Sequence, residues 1–333
     1  MRFFIIQSNM DKLDKLLAVL FIVLLFFIPI MMKKPIVTEK NVAMEEEPCV
    51  LYITVEGEDK PLPLEEYVMG VVAGEMPMSF HDEALRAQAI AARTYALRTT
   101  EAGKKPIAAT VSAQVYKNAA ERKKRWGKEF KANEKRLRGI VESTAGDTIV
   151  YEDEMITAMF FSTSNGKTET AQNYSGNPVP YLQSVESPGE STVAAEVERR
   201  LELPLEEWNE ALGSVWKADR FKSLQLVRNQ TGRVQKAVST DFEMSGREMR
   251  EVLGLASTDF DIAYDITNKI VIVTTKGYGH GVGMSQYGAE AFAQKGWTAE
   301  NIITYYYSGT TIKKFELDES ECLKTPTLAN NSK

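Results

Sequence analysis

Polar and apolar positions divide the chain into three unequal parts. Leu16 to Met32 is an almost unbroken apolar run, roughly 26 Å long as a helix and at the short end of what crosses a bilayer. Lys33 to Pro48 is polar, carries Glu45-Glu46-Glu47 and has no periodicity, as expected of a tether. From Cys49 onward the patterns are those of a folded domain. Val50 to Glu56 reads as a strand, and Pro63-Leu64 opens a helix running to Glu75. An alanine-rich helix from Asp82 to Thr99 follows, with Ser79 as its expected cap. A basic helix from about Lys128 ends at Gly146. Thr148 to Tyr151 and Met155 to Ser162 form a hairpin through Glu152-Asp153-Glu154. Further on, Glu206 to Leu212 is helical, Leu224 to Val227 and Val234 to Val238 flank a turn, and Ser245 to Leu253 is a short helix. Ile262 to Ile266 pairs with Ile270 to Thr275, and helices run to Gln294 and from Ala299 to Tyr307. Antiparallel pairs outnumber any strand–helix–strand alternation. The expected class is therefore α+β, mainly antiparallel with packed helices and open to a two-lobed arrangement around a groove.

The resulting division is a tail (1–15), a transmembrane anchor (16–32), a linker (33–48), one domain (49–318) and a loose end (319–333). A cleaved secretory signal competes with a retained anchor, but Ile28-Pro29-Ile30-Met31-Met32-Lys33-Lys34 offers no small-residue cleavage site. Basic residues flank the run on both sides and favour an inside amino terminus only slightly. Cys49 and Cys322 stand near the ends of the outer part; a bridge between them is open, and in the chain-entropy model would contribute about 5 kcal/mol at most.

A net charge of −6 argues against a nucleic-acid partner. The basic stretch Lys117 to Arg138 is the local exception, read as a solvated helix face with contact to an anionic polymer as the alternative. The two histidines and two cysteines are far apart and give no spaced ligand set, so no metal or other cofactor is expected. Neither cysteine lies in a nucleophile-type turn, and Ser162-Thr163-Ser164-Asn165-Gly166 is not a Gly-x-Ser-x-Gly elbow. The glycines at 277, 279, 281 and 283 have the wrong spacing for a dinucleotide loop. They should instead bring bare backbone close to a ligand. His280 would then be exposed to the groove, with Ser285 and Gln286 donating from the next helix.

Acid chemistry remains. Glu75 ends an apolar helix among Val71, Val72, Met76 and Met78, where lost hydration of the charged form raises a carboxyl pKa. A surface glutamate at a helix end is the plainer alternative. Glycoside cleavage commonly uses two carboxylates, and no second one stands out. A single carboxyl suffices if the substrate supplies its own nucleophile, as the 6-hydroxyl of muramic acid does on closing a 1,6-anhydro ring. Arg93, on the following helix, can face Glu75 and bind the lactyl carboxylate of muramic acid; a structural ion pair with Glu75 is the alternative.

Gly74-Glu75-Met76-Pro77, Ala87 to Ala96, Ser162 to Glu169 and Gly279 to Gln286 together resemble the stage II sporulation protein D (SpoIID) family, from about Val50 to Phe315. The resemblance implies a bitopic membrane protein of endospore-forming bacteria with its catalytic domain outside the cytoplasm at the sporulation septum. It implies a lytic transglycosylase that cleaves the MurNAc–GlcNAc bond of peptidoglycan strands already stripped of stem peptides and leaves 1,6-anhydroMurNAc ends. A cell-wall amidase and a membrane partner of the engulfment machinery are the implied associates. Glu75 is the implied acid/base, and Arg93, Gln88, Tyr181, His280, Ser285 and Gln286 the expected substrate contacts. Some relatives carry a Cys and His pair for a metal where this chain has Thr110 to Tyr116, which contains neither, so no zinc is expected. Amidase enhancers share the domain, and a non-catalytic enhancer or scaffold is the rival function.

Overall fold

The computed structural model describes residues 50–110 and 113–317, together with Leu17 and Phe21. Apart from those two residues, the expected anchor, the tether, both cysteines and the loose end lie outside the described residues. Among the described residues no helix is long and apolar enough to cross a membrane.

The class is α+β. In chain order the first part holds β1 (Tyr52–Ile53), β2 (Leu62–Pro63), α1 (Leu64–Glu75), α2 (Asp82–Thr99), α3 (Ala119–Trp126), α4 (Phe130–Ser143), β3 (Asp147–Tyr151), β4 (Glu154–Met155), β5 (Phe160–Phe161), α5 (Ala171–Ser175) and α6 (Glu190–Val193). The second part holds β6 (Glu198–Pro204), α7 (Leu205–Leu212), α8 (Ala218–Lys222), β7 (Gln225–Arg228), β8 (Val234–Ser239), β9 (Phe242–Ser245), α9 (Gly246–Leu253), β10 (Phe260–Asp265) and β11 (Ile270–Lys276). The chain then returns to the first part with β12 (Met284–Ser285), α10 (Gln286–Ala293), α11 (Ala299–Tyr306) and β13 (Thr311–Lys314).

Two separate apolar cores make this division physical. The first is built around α2, whose alanines are fully buried and let α1, α10, α11 and β3 lie close. The second gathers Trp208, Trp216, Met249, Phe260, Val271 and Val273 between the antiparallel sheets β10-β11-β6 and β7-β8-β9. Its entry and exit are adjacent, because the Gly277 N–H donates to the Val197 carbonyl at 2.7 Å. That is the geometry of a lobe inserted into another domain at a point where the ends already meet.

Local chemistry fixes the element ends. Glu152 and Asp153 both take positive φ, 51° and 67°, and make the tight turn between β3 and β4. The second arm of that hairpin is shorter than expected: it ends at Met155, and Phe160–Phe161 pairs parallel with Met284–Ser285. Ser79 does not cap α2; the Nδ1 atom of His81 accepts from the Glu83 N–H at 3.2 Å instead. The basic stretch forms two helices joined by a 3-10 turn at Gly127–Glu129, and its arginines are tied inward. Arg122 is 1 % exposed and pairs with Glu66 and Glu134, each at 2.7 Å. Arg136 pairs with Asp82 at 2.5 Å and Arg125 donates to the Ala73 carbonyl at 2.7 Å. Lys123, Lys124, Lys128, Lys131 and Lys135 are exposed beside Arg125 and Arg138, so the solvated face is mostly lysine.

Candidate functional site

Glu75 occupies the last position of α1, with both oxygens engaged. The Val115 N–H donates to Oε1 at 2.8 Å and Gln286 Nε2 donates to Oε2 at 3.0 Å. Gly74 makes the first bond possible: a Cβ there would stand 2.5 Å from the Val115 carbonyl oxygen, so only glycine lets the 113–117 segment lie against the helix. The segment is anchored from below by Gln114, which is fully buried, accepts from the Tyr67 hydroxyl at 2.8 Å and donates to the Ala92 carbonyl at 3.2 Å. Burial pushes the Glu75 carboxyl above its ordinary value, against the two hydrogen bonds that pull it down. Its place at a helix C-terminus, the negative end of the dipole, acts in the same direction as burial.

The carboxyl opens into a cleft of about 790 Å³ between the lobes. One wall comes from the first lobe, with Glu75, Tyr95, Val115, Phe161, Tyr174 and Gln286; Arg247, Arg250, Glu251 and Leu255 of the second lobe form the other, beside Tyr278 and His280. The lining mixes rings with a few polar groups, the make-up of a ligand-binding cleft. A smaller depression of about 370 Å³, bounded by Gly296, Trp297, Asn301, Thr304 and Tyr305, has no carboxyl group in its lining.

His280 lies between the rings of Phe161 and Tyr174, with centroids 5.8 and 5.6 Å away. Burial and the neighbouring Arg250 push its pKa down to about 4, with Arg233 and Arg247 adding to the effect. Its Nδ1 accepts from the Val282 N–H at 3.1 Å, so the ring is neutral near pH 7 and oriented by its own loop. The loop's glycines serve the chain itself. A Cβ at Gly279, where φ is 111°, would stand 2.8 Å from Phe161 Cβ, so bare backbone is needed against the β5 strand, and the same glycine lines the cleft.

Gln286 and Gln88 belong to the site, one directly and one behind it. Gln286 is 4 % exposed and also reaches Gln88 Oε1 at 3.5 Å, while buried Gln88 Nε2 has no partner. Three expected contacts are elsewhere. Arg93 is fully buried and bound to Glu65 at 2.6 Å, with further bonds to the Asp147 and Val141 carbonyls and Thr144. It staples α2 to α1, α4 and β3 and meets neither Glu75 nor the cleft, because its side chain leaves α2 on the face turned toward Glu65. Ser285 is fully buried and caps α10 by accepting from the Gly288 N–H, so it has no hydroxyl to offer a ligand. Tyr181 is absent from the cleft lining; its hydroxyl accepts from the Thr157 N–H at 3.0 Å and its ring packs on Tyr151.

The Ser162 to Glu169 motif is structural as well. Ser164 binds Glu190 through its N–H at 2.7 Å and its hydroxyl at 2.6 Å. Asn165 donates to Asp259 at 2.7 Å, and Glu169 accepts from Asn229 at 2.6 Å and Thr231 at 2.9 Å, so this loop ties one lobe to the other. Sequence reasoning missed Tyr95, Arg250 and the Val115 N–H; only the Gly70-x-x-x-Gly74 spacing signals the close approach that delivers the last. Among the described residues no three His, Cys, Asp or Glu side chains converge on a possible ion site, and Val111 and Ser112 lie outside them.

A family model described as stage II sporulation protein matches residues 57–151, which include Glu75 and all of α2. Stage II sporulation protein D of Bacillus subtilis (strain 168) is 41% identical over 273 residues, covering 79% of this chain and 78% of its own length. The protein of the same name from Bacillus amyloliquefaciens is 35% identical over 323 residues, covering 88% of this chain and 93% of its own. The amidase enhancer of Bacillus subtilis (strain 168) is 27% identical over 299 residues, 74% of this chain and 40% of that protein. With identity of this extent across both lobes and the cleft between them, the chain belongs to the stage II sporulation protein D family.

Proposed function

We propose that the protein is a lytic transglycosylase acting on peptidoglycan strands freed of their peptides, with Glu75 as its single proton-transfer group. The observation that carries this reading is the bonding of Glu75 itself. Both protein partners of the carboxyl are donors, so the proton of its acid form has no acceptor in the protein and is offered to whatever enters the cleft. In the proposed reaction that proton goes to the oxygen joining C1 of MurNAc to the next GlcNAc, and the C1–O bond breaks. The 6-hydroxyl of the same MurNAc attacks C1, its proton returns to Glu75, and a 1,6-anhydro ring forms without consuming water. The Val115 N–H and Gln286 Nε2 strengthen as the carboxylate charges, which favours the donating step. Tyr95, Tyr174, Tyr278 and Phe161 bring aromatic rings to the cleft lining, where they can contact the sugars.

Glu251 also lines the cleft, but it is ion-paired with Arg247 at 2.9 Å and its side chain is 61% exposed. Glu75 is therefore the cleft carboxyl suited to hold a proton. In the same proposal, residues 16–32 anchor the chain once in the membrane and present the domain outside at the sporulation septum. A cell-wall amidase would supply the denuded strands and a membrane protein of the engulfment machinery would hold the complex. The similarity to an amidase enhancer supports a second reading, in which the domain acts on another enzyme.

Mass spectrometry of denuded strands incubated with the full-length protein separates these. Anhydro ends that vanish with Glu75→Gln support the proposal. Reducing ends, heavier by one water, would assign a hydrolase using Glu251, and stimulation of an amidase without glycan cleavage would assign the enhancer.

A further inference from the structure

Of the cations that line the cleft, one is uncommitted. Arg247, Arg250 and Glu251 share a face of α9 at helical spacing. Arg247 is spent on its neighbours: its Nε donates to Glu251 at 2.9 Å and its guanidinium lies 4.7 Å above the Tyr174 ring. Arg250 is held differently. Its Nε donates to the Leu255 carbonyl at 3.2 Å, which fixes the side chain, and among the described residues no carboxylate forms an ion pair with it. It is only partly exposed, and burial lowers its pKa from the ordinary arginine value while leaving it cationic. Of the groups facing it, Tyr174, Glu251 and Tyr278 favour its charge and Arg247 opposes it, but none forms an ion pair with it: Glu251 is held by Arg247, and the adjacent His280 is neutral. A desolvated guanidinium fork beside a saccharide-sized cleft is a carboxylate receptor.

We propose that Arg250 binds the free lactyl carboxylate of a muramic acid residue and so makes the cleft selective for strands without stem peptides. This rests on the glycan reading of the cleft. The chemistry is direct, because a stem peptide converts that carboxylate into a neutral amide. An amide cannot accept the paired charge-assisted bonds of a guanidinium and leaves Arg250 without an ion-pair partner. The role first expected of Arg93 thus falls to an arginine on the opposite lobe.

The test reads binding alone, so its failure is distinct from a failure of the catalytic proposal. Full-length protein in detergent, carrying Glu75→Gln to prevent turnover, is titrated with fluorescent denuded strands whose lactyl carboxylates are either free or converted to methylamides. The free form should bind about 10- to 100-fold more tightly, the range of one charge-assisted pair. Arg250→Gln should lose that same factor for free strands and become indifferent to amidation; Arg250→Lys should recover part of it. Equal binding of free and amidated strands to the Arg250 protein overturns the proposal without need of any Arg250 variant. So does an Arg250→Gln protein that still discriminates between them.

Discussion

Replacing Glu190 by alanine removes the acceptor at the centre of a buried knot beneath the cleft. The side chain is 3% exposed and receives four hydrogen bonds: from the Ser164 N–H at 2.7 Å, the Ser164 hydroxyl at 2.6 Å, the Ser187 hydroxyl at 2.6 Å and the Ser285 hydroxyl at 2.9 Å. At about 1.5–3 kcal/mol for each bond to a charged group, the sum is an upper bound, since hydroxyls can turn elsewhere. Ser285 already lies 3.3 Å from the Ser162 carbonyl, and Ser187 retains the Tyr306 hydroxyl at 2.5 Å. The Ser164 N–H cannot turn. An orphaned buried amide plus the partly recovered hydroxyls gives an expected loss of about 3–5 kcal/mol for Glu190→Ala, with Glu190→Gln losing about half of that. Urea unfolding followed by tryptophan fluorescence measures it, with Trp126 and Trp297 reporting on the first lobe and Trp208 and Trp216 on the second. Cleavage of denuded strands by Glu190→Gln should fall beyond its folded fraction, because Ser285 leads directly into Gln286 and the donor it gives to Glu75. A loss below about 1 kcal/mol for the alanine variant would refute this accounting of the knot.

Two further substitutions separate the site from its scaffold. Gly74→Ala should lower kcat/KM about tenfold, because its Cβ pushes the Val115 carbonyl back from 2.5 Å and lengthens the bond to Glu75. Helix propensity alone would predict about 1 kcal/mol of stabilisation and no kinetic effect, so paired melting and rate measurements decide. Arg93→Met should destabilise by about 2–4 kcal/mol through the stranded Glu65 carboxylate, while kcat and KM per folded molecule stay within about twofold. A raised KM at unchanged stability would return Arg93 to the substrate.

How much of this was legible in the sequence depended on range. Elements specified by their own periodicity and turns, such as α1, the Asp82–Thr99 helix and the β10–β11 hairpin, appear where the pattern puts them. The β6 strand was missed because its pattern of partly exposed residues becomes a strand only through pairing with β11, some seventy residues on. Glu75 was visible because an acid inside an apolar run is a local anomaly. The direction of Arg93 was not, since the several buried faces of its helix look alike in sequence and Glu65, which chooses between them, belongs to another helix. Ser285 was misjudged for a related reason: a serine before a helix can cap it or face a ligand, and Glu190 decides.

The claim on which the rest depends is that the cleft keeps Glu75 protonated above the ordinary carboxyl range. A group with a raised folded-state pKa binds its proton more tightly in the folded protein, so its acid form should persist as pH rises past 4.5 and vanish only at the higher folded value. The infrared difference spectrum of the full-length protein minus Glu75→Gln, taken across that interval, isolates the carbonyl stretch of the protonated acid. The account predicts a band still present above pH 4.5, disappearing together with the alkaline limb of strand cleavage. A Glu75 carboxyl already ionised at pH 4.5 would contradict it.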